Sequence, residues 1–301
     1  MVLAPPPLAI PAAQRGFRIS AIFQWWHLLS LDAPTVAALW AWSIARAVNI
    51  GLPLSGLLLL ASGTWLVYVA DRILDGLRFD SSGKLRERHF FYVRHRRKAL
   101  VGEAAVSLVL LWLIATRMNP TARREDAALF AVALAYFCLV HLCRPGIERW
   151  LPKEATVGVV FAAAVAVPAW SRLQGHRLSL IPVVTLFALL CWLNCIAIEK
   201  WERQTQEKAR DGMVGLSHAT TRWAQQHFSF VSCAIALLAA IVCARSALST
   251  GPVAMTALYM ACAISAVMFP AFDRSRLSSF QLRIAADAVL LTPLLFVAVL
   301  H

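Results

Sequence analysis

The sequence predicts an all-α fold, a polytopic membrane bundle of nine transmembrane helices. Of its 301 residues, 59% are hydrophobic and 15% are charged, whereas soluble domains are about 45–50% apolar and about 25% charged. The apolar runs extend over the whole chain, so one membrane domain accommodates them better than one to three soluble domains. The same composition excludes a disordered chain, a fibrous repeat and a disulfide-stapled secreted scaffold.

Residues 1–31 are predicted to form an N-terminal segment that contains an interfacial helix. They lack the basic start and the long apolar core of a signal peptide, so we expect them in the mature protein. The apolar side chains at positions 17, 19, 22, 23 and 26 suit a helix lying along the membrane surface. Residues 32–301 then form the transmembrane domain.

Nine apolar runs, separated by charged residues or by Pro and Gly, predict the membrane spans. Most of them approach the roughly 20 residues that a helix needs to cross a bilayer. The predicted spans are residues 32–50, 52–76, 98–116, 126–143, 155–171, 179–200, 227–246, 252–271 and 283–300.

The distribution of basic residues predicts the orientation. With nine spans, 22 of the 29 Lys and Arg residues fall on the side of the N-terminus and 7 on the opposite side. Because cations accumulate in cytoplasmic loops, we expect an integral membrane protein with the N-terminus in the cytoplasm and the C-terminus outside, in a bacterial plasma membrane. The net charge of +13 therefore indicates contact with membrane lipids and not with nucleic acid.

Two acids mark the cytoplasmic end of the second predicted helix. Asp71 and Asp75 are four residues apart, which places both carboxylates on one face of the helix. Neutralisation by Arg72 and Arg78 is one interpretation. The other is a Mg²⁺ site, because Mg²⁺ binds one or two carboxylates together with phosphate oxygens and water.

A polar edge also runs along the end of the sixth predicted helix. Asn194, Glu199 and Glu202 follow one another toward the cytoplasm, on the same side of the membrane as Asp71 and Asp75. An ordinary solvated helix end is the alternative interpretation. If the two helix ends close on one cavity, their side chains form a site for Mg²⁺ and diphosphate.

Long basic segments follow both helix ends. Arg86 and Arg88 belong to residues 72–98, which follow the second helix, and residues 199–222 follow the sixth. Loops of this length are typically functional or disordered. Their cations either anchor the protein to anionic headgroups or form a lid over an anionic substrate.

Two further acids lie within predicted spans, where ionisable side chains are costly and usually functional. Asp32 precedes Pro34 at a helix start, which is equally consistent with an N-cap. Asp287 has no evident partner in the sequence and is a candidate for lining a cavity. His27, like other isolated histidines of the chain, is interpreted as structural.

Three segments resemble motifs of the UbiA superfamily of intramembrane prenyltransferases. Leu28–Thr35 is similar to the family's Leu-x-Arg-Leu-Asp-Arg-Pro opening, and Tyr68–Asp75 to its Tyr-Val-x-Asn-Asp-x-x-Asp. Asn194–Glu202 is similar to Asn-Asp-x-x-Asp-x-x-x-Asp. The segments occur in the family's order, and the resemblance implies a nine-helix bundle with acidic motifs after the second and sixth helices.

The chain departs from these motifs at several positions. Ser30 and Ala33 stand in the places of the two arginines of the opening motif. Arg72 stands in the place of the first Asp of the second motif, and Ile198 stands where the third motif has an acid, with Glu199 as the nearest substitute.

The resemblance implies an enzyme that moves an isoprenyl group from a prenyl diphosphate to a lipophilic acceptor, aromatic acceptors included, and releases diphosphate. The cofactor it implies is Mg²⁺, one or two ions, and the acids Asp71, Asp75, Glu199 and Glu202 are the implied catalytic residues. Asn194 joins these acids as a metal ligand. The candidate partners of the diphosphate are Arg72, Arg78, Arg86, Arg88, Lys200 and Asn194.

Other functions stay open at the level of the sequence. A terpene cyclase of the same superfamily, or a relative that binds an isoprenoid without turning it over, would share the motifs. A transporter or lipid-binding scaffold would instead use the acids as a proton or cation relay. Transporters typically show repeat symmetry and charges at mid-membrane, whereas these acids gather at one side and no repeat is evident, which favours the enzyme.

Overall fold

The structure is a computed structural model, and every described residue with regular secondary structure is helical. It describes residues 21–79, 94–118, 152–173, 175–208, 218–249, 251–275 and 277–300, together with scattered residues between 120 and 135. Most of the fourth predicted span, 126–143, lies outside this set.

Eleven α-helices are assigned within the continuous described segments. They are α1 (Ala21–Leu28), α2 (Asp32–Ala47), α3 (Leu54–Phe79), α4 (Arg96–Arg117), α5 (Lys153–Trp170), α6 (Ile181–Lys208), α7 (Ala219–Gln226), α8 (Phe228–Leu248), α9 (Val253–Asp273), α10 (Ser279–Val289) and α11 (Val297–Leu300). Short 3₁₀ helices, Arg177–Leu180 and Thr292–Phe296, precede α6 and α11.

Six helices in the described part of the chain are long and apolar enough to cross a membrane, and a seventh span results if the bent pair at the C-terminal end is counted as one. These helices support an integral membrane protein. The prediction of nine spans is therefore met only in part. Helix α2 occurs where the first span was predicted, but it has only 16 residues, and the fourth predicted span is largely outside the described residues.

The last predicted span is broken after α10. Pro293 follows this helix and cannot donate a backbone hydrogen bond, and Ser279–Val289 and Thr292–Leu300 meet at 41°. Such a break leaves carbonyl groups without partners inside a membrane, where each would be costly. Side chains satisfy them here, since Trp40 donates to the carbonyl of Leu290 at 2.7 Å and Ser265 to that of Val289 at 2.9 Å.

The core lies where α2, α5, α6, α8 and α9 meet. Trp40 of α2 is fully buried and stacks on Phe187 of α6, with ring centroids 4.3 Å apart. Helix α5 packs closely along α6 because Gly158 has no side chain: a Cβ there would lie 2.9 Å from the backbone oxygen of Ala188 and from the backbone nitrogen of Trp192. This packing holds α6 against the centre of the bundle. Asn194, two residues after Trp192 on the same helix, is therefore held there as well.

Candidate functional site

A tight turn between α1 and α2 positions the first two polar side chains. The N–H of Leu31 donates to the carbonyl of Trp26, and the N–H of Ser30 to that of His27, which is the Schellman pattern of a helix end. Ser30 adopts the left-handed conformation that this pattern requires, with φ of 57°. The reversal brings His27, at the end of α1, next to Asp32, at the start of α2.

Asp32 is the first residue of α2. The residue in the N-cap position is Leu31, so the interpretation of Asp32 as the N-cap is wrong by one residue. One carboxylate oxygen of Asp32 accepts the N–H of Ala33 at 3.0 Å, and the other lies 2.9 Å from Nδ1 of His27. The carboxylate therefore both supports the helix start and holds the imidazole.

Helix α10 brings a second carboxylate to the same imidazole. Oδ2 of Asp287 lies 3.7 Å from Nδ1 of His27. The start of α10 is fixed by a capping box, in which Ser278 and Gln281 exchange hydrogen bonds between side chain and backbone. His27 is 1% exposed and Asp32 is 3% exposed, while Asp287 is half-buried, so the imidazole meets both carboxylates in a largely enclosed site.

Arg72 and Asn194 complete the group. The guanidinium of Arg72 lies 3.7 Å from Asp32 and donates hydrogen bonds to the carbonyl of His27 and to the hydroxyl of Ser30. The amide Nδ2 of Asn194 donates to Oδ1 of Asp287 at 3.1 Å. We call these side chains the polar cluster: His27, Asp32, Arg72, Asn194 and Asp287.

The charges of the polar cluster do not balance. It contains two carboxyl groups against one guanidinium, because the imidazole adds positive charge only when it is protonated. Buried carboxylates are stable only when they are paired and hydrogen-bonded, protonated or bound to a metal. A proton or a cation must therefore accompany this group.

The predicted diphosphate ligand Arg72 thus belongs to a buried ion pair with Asp32. This pairing differs from the interpretation in which Arg72 neutralises Asp71 and Asp75. Asp71 is half-buried on α3. The side chains of Asp75 and Arg78, and all of Arg86 and Arg88, lie outside the described part of the structure.

The predicted acids at the end of α6 each face a cation. Glu199 pairs with Arg203 at 3.1 Å, and Glu202 pairs with Arg283 of α10. The remaining predicted residue of this helix end, Lys200, pairs with Asp273 at 2.6 Å. We call these three pairs the α6-end network.

Only one group of three or more His, Cys, Asp or Glu side chains could hold a metal ion within the described residues. It consists of His27, Asp32 and Asp287, with ligand atoms all within 4.8 Å of one another. The predicted metal ligands Asp71, Glu199 and Glu202 do not form such a group among the described side chains. Asn194 is the one predicted metal ligand that contacts the group.

Sequence reasoning noted Asp32 and Asp287 as acids inside spans but did not place them together, and it interpreted His27 as structural. The intramembrane position of the two acids was the available signal. Nothing in the sequence joins residues that are more than 250 positions apart. The contact between them depends on how α10 packs on α6 and α2.

An apolar groove is lined by residues that neighbour the polar cluster in the chain, and no side chain of the cluster is among its lining residues. It has a volume of about 540 Å³ and runs between α2, α3 and the C-terminal 3₁₀ helix. Trp26 and Leu31 line it next to His27 and Asp32 in the chain, and Trp42, Leu57 and Leu291 line it further along. The volume is within the usual range for small-molecule sites of about 300–1,000 Å³.

Comparison with known proteins gives no relative: no family model, no curated protein and no solved structure matches the chain. The site therefore has to be interpreted from its own residues.

Proposed function

We propose that the protein is an intramembrane prenyltransferase, which moves an isoprenyl group from a prenyl diphosphate to a lipophilic acceptor and releases diphosphate. One observation carries the proposal. Each of the three segments that resemble the UbiA motifs contributes a side chain to the polar cluster: Asp32 from the first, Arg72 from the second and Asn194 from the third. Segments that are far apart in the chain thus converge on one buried site.

The reaction needs positive charge at a site closed to water. The bond between C1 of the prenyl group and the diphosphate oxygen breaks, and its electron pair leaves with the diphosphate. The acceptor then forms a bond to C1 and loses a proton. Arg72 would attract the leaving diphosphate, and its burial would strengthen this attraction relative to the same contact in water.

The apolar groove beside the polar cluster supports a substrate with a long apolar tail. Because Trp26 and Leu31 adjoin His27 and Asp32, a tail in the groove would place its head near the cluster. The groove opens between helices, so an isoprenoid could enter it from the membrane without crossing water.

The implied cofactor fits less well. Glu199 and Glu202, two of the implied Mg²⁺ ligands, are each held by an arginine, and the described acids of this set do not converge. We therefore derive no step through Mg²⁺. Its requirement is a prediction of the resemblance, which the assay below tests directly.

The proposal is tested with the detergent-solubilised protein, farnesyl or geranylgeranyl diphosphate and a panel of lipophilic aromatic acceptors. We expect diphosphate release that requires both an acceptor and Mg²⁺. Asp71→Ala and Asp75→Ala should lower the rate of diphosphate release. Unchanged turnover in both variants would show that these acids are not part of the site. Release without any acceptor, with formation of a cyclic hydrocarbon, would identify a terpene cyclase instead. No release under any of these conditions would contradict the proposal.

A transporter is the second candidate, favoured by one specific observation: two buried side chains, His27 and Asp32, and the half-buried Asp287 form one titratable group next to candidate membrane helices. Such groups can carry protons or cations. Proteoliposome uptake that depends on an ion gradient, is lost in Asp287→Asn and occurs without diphosphate release would establish this alternative.

A further inference from the structure

We propose that His27, Asp32 and Asp287 bind one divalent transition-metal ion, with the amide oxygen of Asn194 as a fourth donor. This site differs from the Mg²⁺ site that the sequence implies, since His27, Asp32 and Asp287 are not among its predicted ligands. The inference rests on the geometry of the polar cluster and not on the proposed prenyl transfer.

The spacing of the donor atoms fits a metal ion. Metal–ligand bonds to nitrogen and oxygen are about 2.0–2.2 Å long, so neighbouring donors around one ion are roughly 2.9–3.6 Å apart. Nδ1 of His27 lies 2.9 Å from Asp32 and 3.7 Å from Asp287. The three side chains come from α1, α2 and α10, and their ligand atoms all lie within 4.8 Å of one another, so an ion would draw the donors closer together.

The amide of Asn194 supplies independent support. Its Nδ2 contacts the Asp287 carboxylate, and with Asp287 ionised the reverse orientation would place two oxygens against each other, which fixes the assignment of Oδ1. Asn194 is 9% exposed, and no described protein donor hydrogen-bonds its Oδ1. Because both amide atoms are bonded to one carbon, this buried oxygen lies beside the cluster, where a cation would satisfy it.

The mixed donor set selects the kind of ion. Imidazole nitrogen suits first-row transition metals, whereas Mg²⁺ prefers oxygen donors alone. Two carboxylates and the single guanidinium of Arg72 leave one negative charge, so a divalent ion gives the site a net charge of +1. If prenyl transfer is also correct, the ion adds the positive charge that a diphosphate requires next to two carboxylates.

The test uses Mn²⁺ as the probe, because electron paramagnetic resonance counts it and detects nitrogen bound to it. The full chain is purified in detergent, stripped with a chelator and titrated with Mn²⁺ in excess Mg²⁺, without any prenyl substrate. We expect one tightly bound Mn²⁺ per chain and, in pulsed spectra, coupling to an imidazole nitrogen.

Variants assign the ion to the cluster. Asp287→Asn should weaken Mn²⁺ binding at least about tenfold, and His27→Gln should abolish the nitrogen coupling. The control Asp273→Asn alters an acid of the α6-end network and should retain both signals. Absence of stoichiometric Mn²⁺ in the wild type, or bound Mn²⁺ without nitrogen coupling, would overturn the proposal, whatever the folding of the variants. Unchanged Mn²⁺ affinity in a folded Asp287→Asn would overturn it too and indicate a proton as the occupant.

Discussion

The polar cluster and the α6-end network contain the same kinds of side chain in different proportions. In the α6-end network three acids face three cations, namely Glu199 with Arg203, Glu202 with Arg283 and Asp273 with Lys200. In the polar cluster two acids share Arg72 and an imidazole. Both regions lie between packed helices, yet only the α6-end network is balanced by arginine and lysine alone.

This difference separates a structural role from a functional one. A balanced pair ties helices together and needs nothing further, and the contact of Glu202 with Arg283 ties α6 to α10 in this way. A buried group with an excess acid is stable only with an additional proton, cation or ligand. The comparison therefore supports the proposal that the polar cluster is the functional centre, while the contacts of Glu202 and Lys200 join α6 to its neighbours.

The largest loss of stability is expected when Arg72 of the polar cluster is replaced. Arg72→Gln leaves two buried carboxyl groups without their cation and should lower the free energy of unfolding by about 3–5 kcal/mol. The control Arg203→Gln breaks a more exposed pair within one helix and should cost about 0.5 kcal/mol. Unfolding by SDS in mixed micelles measures both. Equal losses of stability in Arg72→Gln and Arg203→Gln would show that the two regions do not differ in their dependence on a cation.

A smaller loss is expected at the other arginine pair of α6. Glu202→Gln retains a hydrogen-bond acceptor but removes the charge opposite buried Arg283, so we expect a loss of about 2 kcal/mol in the same assay. The expected loss should not depend on metal ions. An increase in stability would contradict the assignment of this pair as a balanced tie between α6 and α10.

The smallest expected change in the free energy of unfolding is an increase. In the presence of a chelator, Asp287→Asn removes the excess acid of the polar cluster and should raise the free energy of unfolding by about 1 kcal/mol. With Mn²⁺ added, the wild type should gain stability and the variant should not. If Asp287→Asn and Glu202→Gln both lower the stability in chelator, the charge imbalance inferred for the cluster is absent.

The sequence predicts the helices better than it predicts the site. The apolar run 52–76 corresponds to α3 at Leu54–Phe79, and 252–271 corresponds to α9 at Val253–Asp273, because burial and membrane insertion both select long apolar segments. It fails to predict that Pro293 divides the last apolar run, since proline also occurs inside continuous helices here, as Pro168 and Pro270 do. The effect of a proline depends on whether neighbouring side chains satisfy the freed carbonyl groups.

The composition of the site was predictable only in part. Asp32, Arg72, Asn194 and Asp287 stand out in the sequence as polar residues of membrane helices, whereas His27 does not. Their contacts with one another are not predictable, because they depend on the turn at Ser30 and the packing of α10. The pairing of Glu199 with Arg203 follows from their spacing of four residues, whereas that of Glu202 with Arg283 is a tertiary contact.

The most direct test of the central claim compares diphosphate release in Asp32→Asn and Asp273→Asn. Both substitutions neutralise an acid at a helix end, one in the polar cluster and one in the α6-end network. With geranylgeranyl diphosphate, Mg²⁺ and an active acceptor, we expect kcat to fall about a hundredfold in Asp32→Asn, because Arg72 and His27 lose the carboxylate that positions them. We expect a decrease of less than about twofold in Asp273→Asn. Equal activity of Asp32→Asn and the wild type would contradict the claim that the polar cluster is the functional centre.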